Sequence, residues 1–205
     1  MNAAVAYARS RKLPRAALVS LAIAFAATLY AGRQVQIPQL RYLSDFSVPL
    51  AATVPVAHAV VLATTLFSPM ADLEHTAAQP MRRYRATHMA VLLALGAVLA
   101  ALPLAGGLAP DVCTAAVRNV TGYLGLAMIG ARVFGSGLAW LLPLAMFAPT
   151  LLLGVGVDNT PETWAWSIHS ASSTSAAVIA AALWFVGLVA AATGGPRRNE
   201  RAERQ

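Results

Sequence analysis

Six apolar runs take up most of the chain between residues 16 and 193, and this repetition limits what it can fold into more than any other feature. They cover about 16–35, 48–66, 89–108, 112–131, 138–155 and 174–193. Each is near the roughly 20 residues that a helix needs to cross a hydrocarbon core. Ser68-Pro69 ends the second run, Gly106-Gly107 before Pro110 marks a tight turn after the third, and Gly194-Gly195-Pro196 stops the last. In lipid a spanning segment must satisfy its own backbone hydrogen bonds, which helices do internally. The expected fold is therefore all-α, a polytopic transmembrane helix bundle of about six spans in the cell membrane.

Charge supports the same conclusion. Only 11% of the 205 residues are charged and 58% are hydrophobic, against about 25% charged in an average soluble domain. Too few charges remain to cover a soluble surface, and no room remains for a soluble catalytic domain. No nucleotide-binding loop is present, so any ATP hydrolysis is expected on another subunit. The single cysteine, Cys113, is expected to be a buried packing residue. The four histidines show no ligand-like spacing, and no cofactor is expected.

The net charge of +7 is a topology signal, and nucleic acid is not an expected partner. With the N-terminus inside and the spans alternating, twelve basic residues face the cytoplasm: Arg9, Arg11, Lys12, Arg15, Arg82, Arg83, Arg85, Arg132, Arg197, Arg198, Arg201 and Arg204. Two, Arg33 and Arg41, face outward, and Arg118 lies within a span. This is a strong positive-inside bias, and it favours an even number of spans with both ends in the cytoplasm. The chain divides into a basic N-terminal segment (1–15), a transmembrane domain (16–193) and a charged tail (194–205). The first segment suits a helix lying on the anionic inner leaflet.

Several residues stand out within this frame. In the cytoplasmic stretch from Asp72 to His88, Leu73, Ala77, Met81 and Tyr84 recur at roughly helical spacing. Such a face either docks in a groove on a partner or belongs to a solvated connector whose arginines anchor the third span. Arg118, with Asn119 beside it, is costly inside a span. It either lines a polar cavity, binds an anionic lipid head group, or snorkels while paired with a residue such as Asp111. His58 is the other ionisable group deep in a span, with a packing role expected and Thr64 or a backbone carbonyl as partner. No Asp or Glu lies deep in a span, which argues against an ion-coupled pump. His169 sits in a serine-rich stretch, 163–173, expected to lie at the outer interface or dip partway in. Serine enrichment near a histidine does not make a hydrolase, because a triad is defined by geometry.

The order of parts, together with the phrases DLEHTAAQPMRRYRATH and PETWAWSIHSASSTSAAVIAAALWFVGLVAAAT, resembles a six-span permease of the type-two ABC exporter class, and small permease-like membrane proteins of high-GC actinobacteria. The resemblance implies a translocation path built with a second permease copy or a homologous permease, and a separate cytoplasmic ATPase subunit. It implies that Leu73 to Tyr84 is a coupling helix meeting that ATPase, and that Glu162 to Ser173 is a re-entrant outer segment. Arg118, Asn119, His58 and His169 would then line the translocation path or touch lipid. The short external loops favour a peptide, lipid-like or drug-like substrate. Two other classes stay open: a non-transporting membrane anchor or accessory subunit of a larger complex, and an intramembrane enzyme acting on lipid.

Overall fold

The computed structural model describes every residue except 1, 2, 39, 41–44, 67–80, 157, 159 and 194–205. Among the described residues the fold is seven α-helices, short 3₁₀ turns and one two-stranded hairpin. The helices are α1 (Ala3–Ser10), α2 (Leu13–Leu29), α3 (Leu50–Ala63), α4 (Met81–Ala101), α5 (Pro110–Phe134), α6 (Leu141–Leu153) and α7 (Thr174–Thr193). Four helical stretches are long and apolar enough to cross a membrane: Arg83–Gly106, Pro110–Phe134, Ser136–Leu153 and Thr174–Ala192. Two shorter apolar helices, Leu13–Leu29 and Thr53–Leu66, account for the first two runs.

Those first two runs differ from expectation. The helix expected over 16–35 ends at Leu29, and Gln34–Pro38 forms strand β1, paired antiparallel with β2 (Asp45–Pro49). Along β1 the polar Gln34 and Gln36 alternate with Val35 and Ile37, the period of two that marks a strand. Ile37 and Val48 turn inward and are buried. Leu50 N–H donates to the Arg33 carbonyl at 2.9 Å and closes the base of the hairpin. The third run differs in the opposite direction. Its helix, α4, begins at Met81, eight residues before the expected Met89. The final helix starts at Thr174 as expected, because Ser173 Oγ accepts the Ala176 N–H at 3.3 Å, which is an N-cap interaction.

Helix α5 is the hub. Its 25 residues extend about 37 Å at 1.5 Å per residue, and it packs against α3, α4, α6 and α7. Val120, Tyr123, Leu124, Ala127 and Met128 fill the core with Ala59 and Leu62 of α3 and Leu92 of α4. Its contact with α7 is the most extensive in the bundle. Glycine makes it close: a Cβ on Gly125 would lie 2.4 Å from the Leu183 backbone, and one on Gly187 would lie 2.6 Å from the Gly125 carbonyl. Between helices in lipid, association draws on close backbone packing of this kind, because burying apolar groups gains little there. The outward faces are apolar: Leu18 and Phe25 of α2 and Val178 and Phe185 of α7 are each more than 60% exposed. Lipid is the solvent such faces fit.

At the other end of α5 the N-terminal segment is docked on the bundle. Tyr7 stacks on Tyr84 with ring centroids 5.7 Å apart, and its hydroxyl donates to His88 Nδ1 at 3.4 Å. The Thr65 hydroxyl donates to the Leu62 carbonyl at 2.7 Å and accepts from His88 Nε2 at 3.1 Å. This set of bonds requires the Nε2–H tautomer of His88. Arg11 reaches across to the Leu66 carbonyl at 2.8 Å and lies 5.2 Å over the Tyr7 ring. Lys12, at φ 55°, makes the left-handed turn into α2.

Candidate functional site

Arg118, Asn119, Gly122 and Tyr123 share one face of α5, at the spacing of one helical turn. Opposite them lies the polar segment 162–173, which carries its own 3₁₀ turn at Trp166–Ile168. Arg118 binds this segment through backbone carbonyls. Its Nη1 donates to Ser170 O at 2.7 Å, and its Nη2 to His169 O at 2.9 Å and Trp166 O at 3.2 Å. Its Nε and Nη2 both donate to Asn119 Oδ1 at 3.0 Å. Asn119, 2% exposed, passes the link onward by donating from Nδ2 to Ser167 O at 2.6 Å. The Tyr123 hydroxyl donates to Ser167 Oγ at 2.9 Å. Arg118 and Asn119 thereby bond four closely spaced carbonyls, of residues 166, 167, 169 and 170, and Tyr123 adds a bond to the Ser167 hydroxyl; for Ser167 and His169 these side chains supply the carbonyl's partner.

Aromatic packing seats the segment. Trp166 is 2% exposed and lies against Tyr123 with centroids 5.1 Å apart. The indole fits because residue 122 is glycine: a Cβ there would lie 2.4 Å from the ring. His169 locks the far side, donating from Nε2 to Glu162 O at 3.1 Å and accepting from Ser173 Oγ at 3.5 Å through Nδ1. Beside this clasp is a cavity of about 160 Å³ between β2, the start of α5, α6 and residues 167–171. Phe147, Leu151 and Ile168 give it an apolar wall, and Asp111, Asn119 and His169 a polar one. A small amphipathic molecule matches such a lining.

The structure thus brings together three of the residues singled out in the sequence, Arg118, Asn119 and His169. Arg118 finds its partners in carbonyls and Asn119 rather than in the carboxylate of Asp111, which sits in the first turn of α5, where the helix dipole favours a negative charge. Ser167 and Tyr123 complete the clasp. Sequence reasoning passed over Tyr123, although its spacing from Asn119 marks a shared face. Cys113 is buried.

His58 lies elsewhere, in α3, with no exposed surface and with neither ring nitrogen hydrogen-bonded. Thr64, the expected partner, instead donates to the Val61 carbonyl at 2.7 Å. A buried polar group without a partner costs about 1–3 kcal/mol. His58→Leu is therefore expected to raise stability by about 1–2 kcal/mol, read as a higher midpoint of thermal unfolding in detergent.

Of the proposed coupling residues, Leu73 and Ala77 lie outside the described residues. Met81 opens α4, and Tyr84 is stacked on Tyr7, so both belong to the start of a long helix that continues into the bundle.

Comparison with protein-family models, with curated proteins and with solved structures gave no match for this chain. What the fold itself defines is a mostly helical chain, compatible with a membrane protein, with four helices long and apolar enough to cross a bilayer.

Proposed function

We propose that this chain is the membrane-spanning permease subunit of an ATP-driven exporter of the ABC type, moving a peptide, lipid-like or drug-like substrate. The two shorter apolar helices join the four long ones to make six crossings, with both chain ends in the cytoplasm. The observation that carries the reading is the clasp. A polar segment just before the last helix folds back over the bundle and is fixed by a charge within α5. That is where the resemblance to type-two exporters implies a re-entrant outer segment. The adjoining amphipathic cavity fits a substrate with an apolar body and a polar end. A cytoplasmic ATPase subunit meets the stretch from Leu73 to Tyr84, and a second copy or a homologous permease completes the path.

Isolation of the tagged chain from native membranes, with identification of bound subunits, tests this. An ATPase subunit is expected to co-purify, and ATP hydrolysis by the complex is expected in reconstituted membranes. Leu73→Asp is expected to release the ATPase while the permease stays inserted, since a docked helix draws its affinity from a few apolar anchors. Leu73 is a better probe than Tyr84, whose ring also holds α1. Retention of the ATPase and of wild-type turnover by Leu73→Asp would remove the coupling role. Co-purification of other membrane subunits without any ATPase would favour an anchoring subunit instead.

A further inference from the structure

A second cavity lies at the opposite end of α5 from the clasp, where α1 docks. It has a volume of about 60 Å³, room for about four to six water-sized groups, which is the scale of a phosphate with its four oxygens. Arg11, Arg85 and Arg132 all line it, brought from the α1–α2 turn, from α4 and from α5. Its remaining wall includes Met89, Met128 and Ala190. Three arginines from three parts of the chain thus line one small space with an apolar back, and Arg11 also holds the Leu66 carbonyl at its edge.

This combination selects the ligand. Guanidinium recognises phosphate oxygens through paired N–H donors, and near an apolar wall the attraction is less screened by salt than on an open surface. A free inorganic phosphate would leave the methionine and alanine wall facing water. A ligand with hydrocarbon attached would cover it and continue onto the exposed face of α7, where Val186 and Val189 are 54% and 44% exposed. Arg11 and Ser136 also border a wider groove of about 370 Å³ that contains Lys12 and Trp140, a basic group and an amphipathic ring of the kind found at head-group depth.

We propose that this cavity binds the phosphate of an anionic phospholipid, with the acyl chains lying along α7. The site rests on the membrane assignment of the helices and not on the exporter reading. In the six-crossing arrangement it faces the inner leaflet, where anionic lipid attracts basic groups. A bound lipid would tie α1, α4, α5 and α7 together at that end of the bundle.

The test is native mass spectrometry of the purified full chain in detergent, with phosphatidylglycerol and phosphatidylcholine of matched acyl chains. Wild type is expected to prefer phosphatidylglycerol. Arg85→Gln with Arg132→Gln is expected to lower its retention by about tenfold or more, the scale for removing two basic groups near a lipid phosphate. Ala190→Phe fills the cavity without changing charge and is expected to lose the lipid as well, which guards against misfolding of the charge variant. Arg9→Gln with Arg15→Gln removes the same charge from exposed positions outside the cavity and is expected to retain the lipid. Wild-type retention in both cavity variants would overturn the site, as would equal loss in the Arg9/Arg15 variant. Protection of wild type against heating by millimolar inorganic phosphate, as strong as that by phosphatidylglycerol, would overturn the lipid assignment.

Discussion

Arg118→Leu is expected to destabilise the protein by about 3 kcal/mol, allowing about 1.5–3 kcal/mol for each hydrogen bond to a charged donor and for the non-additivity of bonds from one group. The cost arises in two places. His169 O loses its donor, Trp166 O and Ser170 O lose the charged one of two, and Asn119 Oδ1 loses its partner while remaining buried. For a merely snorkelling arginine the same substitution would be neutral or stabilising, because it removes a charge from an apolar setting. Arg118→Lys is not expected to rescue, since an ammonium is a compact point charge that does not span a fork of separated acceptors. Thermal unfolding in detergent gives the magnitude, and proteolysis of the 162–173 segment gives the location. Unchanged unfolding and unchanged cleavage in the leucine variant would show that Trp166 packing and the bonds to Ser167 hold the segment without Arg118.

The other large effect is expected at the crossing of α5 and α7. Gly125→Leu introduces side-chain atoms where backbone already lies 2.4 Å from a Cβ. Overpacking commonly costs about 1–3 kcal/mol and occasionally more. The upper end or beyond is expected here, because the obstructing atoms are the main chain of Leu183 and Trp184 and not a flexible side chain. Gly187→Leu is expected to act similarly, and the double variant to cost less than the sum, since either substitution alone already separates the helices. Gly137→Ala is the matched control, because nothing lies within 4 Å of its Cβ, and it is expected to unfold like wild type. Folded yield and unfolding midpoint in detergent read out all four. A Gly125→Leu protein with a wild-type midpoint would contradict the close crossing.

These cases show what could be read in advance. The helices at 110–134 and 174–193 were legible because long apolar runs there are bounded by Pro110 and by Ser173, which caps. The extent of α4 was less so. Arg82, Arg83 and Arg85 read as loop residues by polarity, yet nothing there breaks a helix after Pro80, and the helix continues through them. The hairpin was hidden because Val35 and Val48 also suit the ends of apolar helices, and only the alternation with Gln34 and Gln36 distinguishes a strand. The clasp shows a deeper limit. Arg118 and Asn119 announce themselves by polarity, but their acceptors are main-chain carbonyls, which every residue carries, so side-chain identity does not point to them. Asp111 looked like a partner on helical spacing alone, and the nearer carbonyls of the folded segment satisfy the guanidinium instead. Gly122, Gly125 and Gly187 read simply as small residues until the surfaces that require them are known.

The central claim is a six-crossing bundle whose clasp faces away from both chain ends, and cysteine accessibility in intact cells tests it most directly. In a Cys113→Ala background, single cysteines are placed at Asp158, beside the clasp segment, and at Asn199, in the C-terminal tail. The account predicts that a membrane-impermeant maleimide labels the Asp158→Cys protein in intact cells. It predicts labelling of the Asn199→Cys protein only after the membrane is opened. Labelling of both positions from the same side would contradict it.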